Sequence, residues 1–278
     1  MPSGSAALKK PFRCAIIIAS DKPFAAKGGM AVDWTFSVTP KPFGVVHFAI
    51  LGGVAAASVV FALLIRKAQP KTLLRLLFVF GALMLLTEVW KQWFVARYLD
   101  PGVRSMWFFP WQLCSMAMYC SALAPFLKGK AQDALLVFLC TFSMIGAFFA
   151  LLVPEDMMRP QILLFCHSFL YHAVMVFEGI LALRVLRQRK KAPFLPALVL
   201  FLCMAAVAEA INVFSHLVIN DVRYESNMFY ITPFYPSTQF VFSAIAKHAG
   251  ISVEIFAYLG AIALGAYLLY LAQFPRKR

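Results

Sequence analysis

Apolar residues come in seven long stretches, at 45–66, 72–95, 109–127, 132–153, 160–184, 193–216 and 250–273, and the few polar residues inside them bunch toward one end. Each stretch runs to about 20 residues, which at about 1.5 Å per residue matches a hydrocarbon core about 30 Å thick. Backbone groups in lipid find no water and must bond internally, so spans of this length are helices. The pattern predicts an all-α, polytopic membrane protein with seven transmembrane helices. It divides the chain into an amino-terminal tail (1–44), a membrane domain (45–273) and a short basic tail (274–278).

Composition agrees. Hydrophobic residues make up 62% of the chain and charged residues 14%, against about 45–50% and about 25% in soluble domains. A net charge of +14 would suggest nucleic acid in a soluble protein. Here the basic residues sit at span ends and form no patch with interleaved aromatics, so nucleic acid is excluded as a partner and membrane phospholipid takes its place. The six cysteines show no paired spacing, which reads as free thiols rather than a disulfide framework or a zinc site.

Basic residues alternate from loop to loop. Arg66, Lys67, Lys71 and Arg75 separate spans one and two; Lys128 and Lys130 follow span three. Arg184, Arg187, Arg189, Lys190 and Lys191 end span five, and Arg276, Lys277 and Arg278 close the chain. The intervening loops hold only Arg97, Arg104, Arg159, Arg223 and Lys247. The positive-inside rule puts the first group, and the carboxyl terminus, in the cytoplasm of a cell-membrane protein. The lysines of the tail (Lys9, Lys10, Lys22, Lys27) pull the other way, and a start at Met30 would remove them. Residues 217–248 form the one long linker; their aromatics and prolines suit a segment lying in the outer interface. Trp90, Trp93, Tyr98, Trp107 and Trp111 read as an aromatic belt at the same level.

With that orientation, polar residues collect near the outer ends. Glu88, Gln112, Cys114, His167, His172, Glu209, Asn212, His216 and Glu254 lie there, and the inner half keeps little beyond Glu178. An ionisable residue inside a span costs at least about 2.5 kcal/mol, so the bunching asks for partners or a polar chamber. Glu88 and Lys91 are spaced to pair at i,i+3. Glu209, Asn212 and His216 share one helix face, as a structural network or as substrate contacts. His167 and His172 lie about 140° apart around their helix, so one of them is structural. No HxxxH, HExxH or GxSxG is present, so no metal and no cofactor is expected. A Cys-His pair remains available for nucleophilic chemistry, and spacing does not choose which cysteine or which histidine.

Four pieces in order carry a resemblance: FGVVHFAI with His47, FFPWQLCSMAMY, SFLYHAVMV and ESNMFYITPFYP. Together they resemble the YwaF-like family of bacterial integral membrane proteins and its animal relatives, the transmembrane-protein-164 family, over nearly the whole chain from about residue 30. The resemblance implies a phospholipid acyltransferase working through a cysteine and a histidine, which fall on Cys114 and His172, with the family's asparagine on Asn227. Where the family shows a histidine two residues before the cysteine, this chain has Gln112, which offers hydrogen bonds but no proton exchange near neutral pH. Two functions follow for the polar residues. One is a lipid acyltransferase or hydrolase, with Cys114 and His172 catalytic and Gln112, Asn227, Glu209, Asn212 and Glu88 contacting substrate. The other is a non-enzymatic carrier or receptor for a small amphiphile.

Overall fold

The structure, a computed structural model, describes residues 34–99, 105–189, 193–219 and 221–275. Met30 and most of the tail, Cys14, Arg104, Lys190, Lys191 and Arg276–Arg278 lie outside the described residues. The helices are α1 (Val45–Leu64), α2 (Pro70–Phe94), α3 (Met116–Leu123), α4 (Gly129–Phe138), α5 (Met144–Leu152), α6 (Ile162–Arg189), α7 (Phe194–Ile219), α8 (Phe240–Ala249) and α9 (Ile251–Gln273). A π-helical turn, Leu139–Ser143, joins α4 to α5 without a break, and another, Val95–Leu99, extends α2.

Among the described residues six apolar stretches are long enough to cross a bilayer: Val45–Leu64, Pro70–Leu99, Gly129–Leu152, Ile162–Arg189, Phe194–Ile219 and Ile251–Gln273. The third predicted span behaves differently. Only Met116–Phe126 is helical there, about 16 Å of rise, roughly half a hydrocarbon core. Residues 105–115 run as irregular chain instead. Pro110 has no N–H for a helical ladder and biases Phe109 away from the helical region.

Irregular backbone at membrane depth survives only where protein satisfies it, and here it is satisfied. Gln92 Nε2 donates to the Phe108 carbonyl at 2.6 Å and Tyr119 Oη to the Pro110 carbonyl at 3.0 Å. Local turns close Phe109 N–H onto the Met106 carbonyl (3.1 Å) and Ser115 N–H onto the Gln112 carbonyl (2.8 Å). Trp111 leaves the predicted belt altogether: its indole N–H reaches the Met204 carbonyl, midway along α7, at 3.2 Å.

α6 is the central element, burying a face from Leu164 to Leu186 against α2, α4, α5 and α1. Two glycines permit the closest approaches. A Cβ on Gly81 of α2 would lie 2.5 Å from the Ala122 backbone nitrogen, and one on Gly179 of α6 would lie 3.2 Å from the Leu139 carbonyl oxygen. Phe138, Phe142 and Phe201 fill the core, Phe142 and Phe201 stacked at 4.7 Å. α1 stands at the periphery and is tied at both ends. His47 accepts from the Phe43 N–H at Nδ1 (3.0 Å) and donates from Nε2 to the Leu151 carbonyl (2.8 Å), while Arg184 of α6 donates to the carbonyl of Arg66.

Basic residues gather at one end of the bundle, where Gln188 meets the Ala68 carbonyl at 3.2 Å and Arg189 pairs with Asp133 at 3.2 Å. The opposite end carries Asp156, the 221–239 loop and α8. The charge alternation seen along the chain is thus a spatial asymmetry of the molecule.

Candidate functional site

The buried polar residues form two groups rather than one chamber. The first surrounds Cys114, which lies half-buried in the turn entering α3. The charges of Lys91 and Glu88 act on it from α2. Glu88 receives Lys91 Nζ at 2.8 Å, the i,i+3 pair expected from spacing, and Gln92 Nε2 at 2.7 Å. The same Gln92 holds the Phe108 carbonyl, so α2 fixes both the charge pair and the irregular segment that delivers Cys114.

α6 carries the two histidines and Tyr171. His172 Nδ1 lies 2.7 Å from the Ser168 carbonyl; a carbonyl only accepts, so Nδ1 carries the proton and Nε2 keeps its lone pair. Tyr171 stands between the two histidines, 6.0 Å from the His172 ring and 5.5 Å from the His167 ring. It is in electrostatic reach of Cys114, and its hydroxyl is buried without a partner. His167 packs on Trp90 at 5.8 Å with a buried, unpartnered Nε2. Lys91 acts electrostatically on both histidines as it does on Cys114.

Tyr230 and Tyr258 lie within electrostatic reach of Cys114. Tyr230 donates to Asp156 at 2.7 Å; burial, with that carboxylate beside it, raises its phenol well above the ordinary value. These tyrosines and Gln92 escaped the sequence reading, which singled out only carboxylates, histidines, amides and cysteines inside the spans. The missed signal was chemical: a tyrosine inside a span must hand its hydroxyl to something.

The other described cysteines are placed for packing. Cys120 is fully buried in α3 in electrostatic reach of Glu178, Cys140 sits in the π-helical turn, and Cys166 and Cys203 face outward. Glu178 is itself buried in mid-α6 with neither carboxylate oxygen bonded; neighbouring Ser121 gives its hydroxyl to the Ala117 carbonyl at 2.7 Å. Among the described residues no three His, Cys, Asp or Glu side chains converge as a metal-ligand set.

The second group grips the loop after α7. The sequence predicted an interfacial segment, yet Glu225–Phe229, Ile231 and Thr232 are buried inside the bundle, while Val222, Arg223, Phe234 and α8 stay exposed, Phe240 by 87%. Two side-chain amides draw the loop in by imitating backbone. Asn212 of α7 accepts the Met228 N–H at Oδ1 (2.6 Å) and donates to the Met228 carbonyl from Nδ2 (3.1 Å). Gln112 donates to the Asn227 carbonyl (2.9 Å) and accepts the Phe229 N–H (2.9 Å). Asn227 Oδ1 in turn accepts the Thr232 N–H at 3.1 Å. Between them Phe229 and Tyr230 take positive φ, 56° and 55°, a conformation costing about 1–2 kcal/mol per residue without glycine.

Further bonds seal the loop: His216 Nδ1 to Glu225 at 2.9 Å, Ser226 N–H to Ser215 Oγ at 2.8 Å, and Ser237 N–H to Glu254 at 2.8 Å. Gln112 belongs to both groups, two residues before Cys114 and bonded into the loop. Glu209 lies one turn before Asn212, whose side chain acts on its carboxyl. It lines a cleft of about 310 Å³ between α7 and α9, with Leu202, Ala205, Ile231, Ile255 and Phe256, and one of its carboxylate oxygens is buried and unpaired. Neither Cys114 nor His172 lines that cleft.

A family model described as the TMEM164 family matches residues 42–271. No curated protein and no solved structure matches the chain.

Proposed function

Because the chain belongs to the TMEM164 family and is a multi-pass integral membrane protein, we propose that it is a lipid acyltransferase or hydrolase in which Cys114 and His172 are the reacting pair. Cys114 carries this reading: among the described cysteines it is the one in a helix-entry turn with the Lys91 charge in reach. Lys91 favours the thiolate while burial and Glu88 oppose it, so ionisation depends on a base that takes the proton.

His172 Nε2, left with its lone pair by the Ser168 bond, takes the Cys114 proton. The thiolate attacks the carbonyl carbon of a phospholipid acyl ester, and the tetrahedral intermediate collapses with cleavage of the ester C–O bond. The departing lysolipid oxygen recovers the proton from His172, leaving an acyl thioester on Cys114. An acceptor hydroxyl, from a second lysolipid or from water, then gives its proton to His172 and attacks the thioester, and the released thiolate regains that proton. The unpartnered Tyr171 hydroxyl supplies a hydrogen bond to the oxyanion. Gln112 and Asn227 serve substrate binding by holding the loop that brings Tyr230 to Cys114, and Asn212 anchors the same loop. Glu88 holds Lys91 in place. The cleft at Glu209 gives an acyl chain a lateral approach toward Ile231. In this proposal the basic end, with the carboxyl terminus, faces the cytoplasm, as the positive-inside rule requires.

Mass spectrometry of the purified protein after incubation with phospholipid vesicles tests the pair. An acyl adduct released by hydroxylamine is expected on the peptide bearing Cys114. It should vanish in Cys114→Ala and form about 100-fold more slowly in His172→Ala. No adduct, together with unchanged cellular acyl distributions on deleting the gene, would sink the proposal. The Glu209 cleft favours a second reading, a carrier for an amphiphile; lipid retention that is lost in Glu209→Leu but intact in Cys114→Ala, without any adduct, supports it.

A further inference from the structure

We propose that the groove between α1 and α6 at the basic end is a binding site for one anionic phospholipid. The groove encloses about 390 Å³ and is walled by Val59, Ala62 and Leu63 of α1 and by Ile180 and Leu183 of α6. Arg184 and Arg187 close it at the basic end. Val59 and Leu63 are 61% and 57% exposed, so this part of α1 turns its apolar side to the groove and the lipid rather than to protein. An apolar trough capped by two guanidinium groups fits an acyl chain below and a headgroup phosphate above.

The charges at the cap are uncompensated. Among the described residues neither arginine pairs with a carboxylate; Asp133 is taken by Arg189. Arg184 gives one guanidinium nitrogen to the Arg66 carbonyl, which turns the group toward the α1–α2 loop, and its Nε is buried with no acceptor at all. Arg187 reaches only the Gln273 carbonyl, at 3.5 Å. Arg66 and Lys67, both exposed, add positive charge in the same loop. Five fixed N–H donors on each guanidinium, aimed where protein offers only backbone oxygen, match phosphate oxygens that accept in the same plane. A headgroup carrying its own ammonium would bring a cation against four others, so net-negative lipids are selected over zwitterionic ones. The site lies at the opposite end of the bundle from Asp156 and the 221–239 loop, and it does not depend on the chemistry assigned to Cys114.

Native mass spectrometry of the full chain in detergent, with phosphatidylglycerol and phosphatidylcholine of identical acyl chains, reads the preference directly. The wild type should retain a single phosphatidylglycerol about tenfold better than phosphatidylcholine. Arg187→Gln, which leaves the Arg184–Arg66 contact in place, should bring the ratio near one. Arg187→Lys should restore most of it, and Arg223→Gln at the other end should leave it unchanged. An excess of inorganic phosphate should not displace the lipid, because the apolar walls bind the chain. Equal retention of the two lipids by the wild type overturns the proposal, as does a preference that survives both Arg187→Gln and the double Arg184→Gln Arg187→Gln variant. Displacement by inorganic phosphate overturns it too, by showing an ion site instead of a lipid site.

Discussion

Asn212→Ala should release the loop that reaches into the bundle. The substitution deletes one acceptor and one donor: the Met228 N–H loses its bond at 2.6 Å, the Met228 carbonyl loses the one at 3.1 Å but keeps the Ile231 N–H at 3.3 Å, and Ser226 Oγ loses an acceptor at 3.2 Å. Met228 is fully buried, so its stranded N–H cannot turn to water unless the loop leaves. The stranded N–H costs about 1–3 kcal/mol and the other lost bonds about 1 kcal/mol more, which sets the total near 3 kcal/mol, roughly a hundredfold in the closed-to-open ratio. Phe229 and Tyr230, held at positive φ, add their strain to the driving force for opening. Asn212→Asp keeps the acceptor for the Met228 N–H but buries a carboxylate whose second oxygen faces the Met228 carbonyl where the amide had donated, so it should cost at least as much as alanine. Unfolding in mixed micelles followed by tryptophan fluorescence measures the stability, and limited proteolysis between residues 221 and 239 measures the opening. A second alanine at Gln112 should add less than its single effect, since both amides hold one loop. A cost below about 0.5 kcal/mol for Asn212→Ala, the ordinary level for an uninvolved surface site, would refute the clamp.

Three further outcomes are expected. A lipid-like thiol-reactive probe should label Cys114 well ahead of Cys120, and His172→Ala should slow that labelling; equal rates, indifferent to the histidine, would make Cys114 a packing residue. Gly81→Ala should destabilise the bundle by about 1–3 kcal/mol in the same micelle assay, because the new methyl meets backbone of α3 rather than a side chain that can move; a neutral result would mean α2 and α3 are less tightly apposed. A reporter fused after Arg278 should behave as a cytoplasmic fusion, and activity on the far side of the membrane would overturn the orientation.

Hydrophobic length and backbone hydrogen bonding determined that this chain is a helical bundle in a membrane, because both are local properties that any 20-residue window reveals. Charge alternation likewise marked which helix ends lie together, and i,i+3 spacing disclosed the Glu88–Lys91 pair. What only tertiary structure decided are the cases where a side chain takes over the work of a backbone. Residues 109–115 are apolar enough to read as a span, but Pro110 and the carbonyls bonded by Gln92 and Tyr119 make them irregular chain inside the bundle. The ESNMFYITP segment reads as an interfacial loop, and Gln112 and Asn212, distant in sequence, supply the four bonds that let its backbone leave water. The same convergence brings Tyr171, Tyr230 and Tyr258 within electrostatic reach of Cys114. Such pairings have no period and no fixed spacing; they exist only once helices from opposite parts of the chain are packed, which is why a candidate cysteine could be singled out from sequence while its surroundings could not.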